Sequence, residues 1–271
     1  MRKSPLFFLM FLFSSASARE ICNCPAQRGE GKGTFYFSWG YNKDYFSKNN
    51  LHFYDKGAGN YDFTLYNVKA KDRPEFYKIT KYALAGDLSV SQYSYRIGYF
   101  FNDKRDLGVE INFDHTKYVM MQNQTVRIKG AIHDVYYDKD TLINASFLRF
   151  EHTNGANFLM TNLTKRKSFF CSENNRHRLS AIIKPGTGIV IPKTDVAVFN
   201  EPRDNRFHIA GWIAGLETGI RYDAWKIFFI EPSVKGTFAD YMDVLTVGSG
   251  KADHRFWCFE ILLTAGFQFG L

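Results

Sequence analysis

The C-terminal stretch RFWCFEILLTAGFQFGL, residues 255–271, alternates without a break. Trp257, Phe259, Ile261, Leu263, Ala265, Phe267, Phe269 and Leu271 share one parity. Cys258, Glu260, Thr264, Gly266, Gln268 and Gly270 share the other with Phe256 and Leu262. Side chains of a strand point to opposite faces in turn, so one face is apolar throughout and the other mixed. A bilayer-crossing strand takes about 9–11 residues. A soluble sandwich strand rarely sustains such a face for longer, and the stretch therefore predicts a strand that meets lipid.

The pattern recurs upstream. Leu107, Val109, Ile111 and Phe113 oppose Gly108, Glu110, Asn112 and Asp114. Tyr93, Tyr95, Ile97, Tyr99 and Phe101 oppose Gln92, Ser94, Arg96 and Gly98. In 206–222 and 227–239 the apolar rows oppose Glu217, Arg221, Glu231 and Lys235, and GTFYFSWGY (33–41) supplies the first strand. Charges opposite an apolar, aromatic-ended face fit a barrel with a polar interior. The predicted class is all-β, a membrane-spanning antiparallel up-and-down barrel. Strands fall near 33–41, 91–101, 107–119, 125–133, 145–152, 156–164, 178–191, 206–222, 227–239 and 255–271. That makes about ten, or eight if 125–133 and one neighbour form a hairpin outside the wall. Short links (NDKRD, DAWK) alternate with long polar ones (42–89, 120–144, 192–205, 240–254), as turns and loops do in such barrels.

The 271-residue chain is aromatic-rich at 17% and carries a net charge of +8. Its start, Arg2-Lys3, then LFFLMFLF (6–13) and Ala16-Ser17-Ala18, reads as a secretory signal peptide over 1–18. A flexible leader, 19–32, and the barrel, 33–271, follow. Cys22, Cys24, Cys171 and Cys258 suggest no disulfide framework, and their spacing does not suit zinc. No basic patch interleaved with stacking aromatics points to nucleic acid. GEGKG (29–33) reads as leader, KPGTGIVIP (184–192) as a glycine-softened strand, and KRK (165–167) as solvated charge.

The signal peptide, the alternating strands and the ending FQFGL resemble the outer-membrane β-barrel proteins of Gram-negative bacteria. GKGTFYFSWGYN, YDFTLYNVKAKDRP, YSYRIGYFF, FDHTKYVM and FEHTNGAN are similar to a Bacteroidota-type set of them. The resemblance implies an outer-membrane location, with outer-membrane lipid and lipopolysaccharide as surroundings and an external ligand at the loops, chiefly 42–89.

Parity places Arg96, Glu110, Asp114, Arg149, Glu217, Arg221, Glu231, Lys235 and Glu260 inside. Their mixed signs predict a narrow or plugged lumen held by ion pairs rather than a selective pore. Structural, surface-binding or limited small-solute transport roles follow, with no cofactor. The alternative rests on FDHTK (113–117) and FEHTN (150–154). There His115 and His152 would stand at the outer rim, with Asp114 and Glu151 inside the mouth. Such a rim histidine can act as general base in lipid-A-modifying hydrolysis or acyl transfer, with Ser146 or Ser249 as nucleophile in space. As metal ligands the same four chelate poorly, because neighbouring residues of a strand face opposite ways.

Overall fold

The computed structural model describes residues 33–74, 92–101 and 106–270. The signal peptide, all of the leader and most of the NDKRD link lie outside them. β1 (Thr34–Phe46) breaks at Ser47-Lys48 and continues as β2 (Asn49–Asp55). β3 (Tyr61–Val68) returns and bends at Lys69 into β4 (Ala70–Lys71). β5 (Ser94–Phe100) and β6 (Leu107–Asp114) follow, then β7 (Tyr118–Met120) and the hairpin β8 (Gln124–Ile132) and β9 (Val135–Ile143). β10 (Leu148–His152) precedes β11 (Phe158–Cys171) and β12 (His177–Val190). A small hairpin, β13 (Asp195–Val198) and β14 (Glu201–Asp204), leads to β15 (Gly211–Ala224), β16 (Phe228–Leu245) and β17 (Lys251–Gly270).

β1, β5, β6, β11, β12, β15, β16 and β17 pair in that order, and β1 closes on β17 from Thr34↔Gly270 to Phe46↔Cys258. The wall is thus an eight-stranded antiparallel barrel. Of the ten sequence-predicted strands, 125–133 and 145–152 become β8 and β10, outside the wall. β10 has five residues, too few to cross a bilayer. β8 turns Thr125, Arg127 and Lys129 outward, a row that lipid would reject.

Lipid replaces water around this wall. Ile97, Ile111, Leu163, Ile220, Leu263 and Phe267 are each about half exposed on its outside, an apolar belt that a soluble protein does not carry. Aromatic side chains ring both ends. Tyr222, Phe228, Phe267 and Phe269 lie at the end of the wall where Thr34 pairs with Gly270, and Tyr95, Trp212, Phe238 and Trp257 at the other end. Among the described residues no helix is long and apolar enough to cross a membrane.

Beyond Trp257 the wall flares into a cap. β2, β3, β8 and β9 extend the sheet from the top of β17, and a second sheet, β14-β13-β10-β7-β4, packs against it. The amphipathic alternation of both sheets closes on one apolar core. Phe53, Phe63 and Leu65 of the first sheet meet Phe150, Val196 and Val198 of the second, and the core runs down to Phe158, Tyr241 and Phe256 inside the barrel mouth. Full burial of each such side chain contributes about 1.5–3 kcal/mol. Cys258 is buried with a free thiol, whereas Cys171 is disulfide-bonded.

Candidate functional site

The lumen is filled by charge. Inward rows at i, i+2 spacing bring Arg96, Glu110, Asp114, Glu217, Arg221, Glu231, Lys235 and Glu260 together, all at most 2% exposed. An eight-stranded barrel leaves an interior about wide enough for side chains alone. The Arg96 guanidinium lies 2.7 Å from Glu217, 3.1 Å from Glu110 and 3.6 Å from Asp114. Lys235 pairs with Asp114 and lies 3.6 Å from Glu260. Arg221 binds Asp223 at 2.9 Å and Glu231 at 3.4 Å, and stacks on the Phe229 ring at 3.4 Å.

Several members escaped the sequence reading. Lys184, read as part of a softened strand, bridges Glu110 at 2.7 Å and Glu231 at 2.6 Å. Its signal was available, since Leu179, Ala181, Ile183 and Pro185 form the outward row of β12 and leave Ser180, Ile182 and Lys184 inside. KRK divides the same way: Lys167 faces out, while Arg166 is buried, 3.1 Å from Asp106 and 3.7 Å from Asp223. Tyr36 donates to Glu110 at 2.9 Å, and Ser233 to Glu217 at 2.8 Å.

Arg149 departs from its predicted place. It lies on β10 in the cap, half-buried, and pairs with Asp195 at 2.7 Å. The alternation of 145–152 is that of a cap sheet, so its polar row faces away from the cap core rather than into a lumen.

The rim-histidine constellation is not assembled. His115 is buried, stacks on Tyr93 with ring centroids 4.6 Å apart, and binds the Asn157 side-chain oxygen at 2.8 Å. Asp114 belongs to the lumen, taking hydrogen bonds from Ser94 and Asn112. Glu151 pairs with Arg73 at 3.1 Å on the cap surface, and Ser249 donates to Asp55. His152, expected on the outer edge, is fully buried in the cap core, because β10 is not a wall strand. Among the described residues no three His, Cys, Asp or Glu side chains are placed to hold a metal ion.

His152 instead faces His254, Nε2 to Nε2 at 3.3 Å, with the Thr194 hydroxyl 3.0 Å from His152 Nδ1. Phe150, Tyr118 and Tyr241 surround the pair. Burial disfavours the imidazolium form, holding His152 down to about 3 and His254 well below the usual range. Both are therefore neutral in the folded cap. Free histidine titrates near 6.5, so below that pH the unfolded chain binds more protons and stability falls. The loss continues down to the depressed folded value. We expect the cap of native protein to lose on the order of 1 kcal/mol per pH unit per histidine between about pH 6 and 4. His254→Phe should flatten that slope in urea-unfolding midpoints measured across the range. An unchanged slope would remove the pair as its source.

No protein-family model matches the chain, and no curated protein is similar to it. Among solved structures it is similar to the outer membrane protein OprG from Pseudomonas aeruginosa, at 14% identity over 90% of this chain and 99% of that one, TM-score 0.37. Neisserial surface protein A is 10% identical over 87% and 97%, TM-score 0.34. Ail, the attachment invasion locus protein of Yersinia pestis, solved in complex with the heparin analogue sucrose octasulfate, is 12% identical over 88% and 99%, TM-score 0.32. The solved structures that the chain resembles are bacterial outer-membrane β-barrel proteins.

Proposed function

We propose that this chain is a bacterial outer-membrane protein whose barrel is an anchor and whose cap is a surface-binding domain. One observation carries the reading: the lumen charges are paired to one another and overlain by the apolar cap core. A conducting pore needs wetted, one-sign or weakly held lining, and this interior offers neither. The mass of described structure outside the belt lies at the end away from the Thr34–Gly270 pair, where barrels of this kind carry their external loops. The Bacteroidota-type kinship belongs to the same reading and is supported by the segment resemblances alone.

The orientation is tested on intact cells with a membrane-impermeant maleimide. Tyr136→Cys, on exposed β9, is expected to label on whole cells. Lys226→Cys, in the turn between β15 and β16, is expected to label only after the outer membrane is permeabilised. The reverse pattern would put the cap on the inner side and end the surface-binding reading.

A further inference from the structure

Among the described residues β9 is the last strand of its sheet and pairs only with β8. Its inward row reads Tyr137, Lys139, Thr141, followed by the buried Ile143. An aromatic ring, a cation and a hydroxyl thus stand in line on one face, at the open side of the cap. They border a cavity of about 410 Å³ whose apolar wall is Ile128, Ile132, Phe147 and Phe199. That volume falls in the range of small-ligand pockets, which are mostly apolar with a few placed polar groups.

Three features of the pocket bear on what it could hold. The Thr141 hydroxyl is buried and has no hydrogen-bond partner among the described residues. Lys139 extends over the Tyr137 ring at 5.2 Å, and among the described residues it has no carboxylate partner; neighbouring Asp138 is engaged by Arg127 on the other face. An apolar side chain at position 141 would serve a sealed core better than an unpaired hydroxyl, whereas Lys139 is exposed at the pocket's edge, where its ammonium can reach a ligand.

The third feature is backbone strain. Two-residue hairpin turns with both central residues at positive φ favour Asn or Gly. The β13–β14 turn instead uses Phe199 (φ 50°), while the β8–β9 turn uses His133 (φ 48°), a residue type that this region admits. A bulky side chain in this region is costly, and Phe199 shares it with Trp225 (φ 50°) in the turn between β15 and β16. The Phe199 and His133 rings border the cavity, 5.4 Å apart, and Phe199 also packs on Phe147.

We propose that this pocket binds a small amphipathic acid, an apolar ring or short chain ending in a carboxylate. The apolar body lies against Ile128, Ile132, Phe147 and Phe199. The carboxylate accepts from the Lys139 ammonium and the Thr141 hydroxyl, a charge-assisted pair of bonds. This deepens the surface-binding reading by naming a ligand class and rests on it for biological meaning. The pocket itself is tested on purified protein, so a failure of orientation and a failure of binding are separable.

The experiment follows the isoleucine methyl resonances of the full-length protein in lipid nanodiscs, titrated with 4-phenylbutyrate and with its uncharged amide. The acid is expected to shift the Ile128 and Ile132 methyls saturably. Lys139→Gln, at an exposed edge position, is expected to leave the other methyls in place and weaken the acid about tenfold or more. The amide should bind more weakly than the acid, and alike to both proteins. Absence of a saturable shift at about 1 mM acid, a range in which even weak specific sites are occupied, would overturn the proposal. So would equal binding of acid and amide, unaffected by Lys139→Gln.

Discussion

Arg96→Met is expected to destabilise the barrel by about 3–5 kcal/mol, the cost of breaking a buried ion network by removing one partner. The Arg96 side chain is fully buried and contacts three carboxylates, those of Glu217, Glu110 and Asp114. Lys184 and Lys235 are already committed to the same acids. With Arg96 gone, the carboxylates stay buried with too little positive charge, and methionine returns only its packing. Adding Glu217→Gln should recover part of the loss, since the two groups are in contact and their effects should not add. The unfolding temperature read from heat-dependent gel mobility of the detergent-folded protein checks both. A change below about 0.5 kcal/mol, the scale of an ordinary surface substitution, would mean that the lumen is hydrated and its charges screened by water.

Phe150→Ala is expected to cost about 3–5 kcal/mol by a different route, loss of buried area plus a cavity. The ring is fully buried, stands edge-on to Phe53 at 5.3 Å, and packs on His152 at 4.9 Å and His254 at 5.4 Å. These contacts join the two cap sheets above the belt, whereas the wall closes through β1 and β17 at the level of the belt itself. The damage should therefore stay in the cap. Limited proteolysis should cut the cap of this variant at protease levels that spare the native cap, while the barrel core resists in both. Arg96→Met should show the opposite pattern, a weakened barrel beneath a resistant cap. Simultaneous loss of cap and barrel in Phe150→Ala would make the two layers one cooperative unit.

The wall was legible because lipid outside and charge inside enforce strict alternation. A shift of one residue along β17 would put Glu260 in lipid and Phe259 in the lumen, so parity there has one answer. The cap was not legible by the same rule. Its strands also alternate, but both kinds of face belong to a sandwich, one to its apolar core and one to solvent. Hence Arg149 and His152 read as wall residues when they belong to β10. The sequence pattern at 145–152 ran over eight residues, whereas β10 has five, too few to cross a bilayer. The break of β1 at Ser47-Lys48 and the bend between β3 and β4 depend on packing between sheets, which local pattern does not record. Lys184 was missed for a simpler reason, in that the glycines of its strand drew attention from its parity.

The most direct test of an anchor with a closed lumen is planar-bilayer recording of the purified native protein. The paired interior and the apolar core above it are expected to give no conductance steps at any applied voltage that the bilayer withstands. Reproducible ohmic steps from the native protein would contradict the reading and return the chain to the channels.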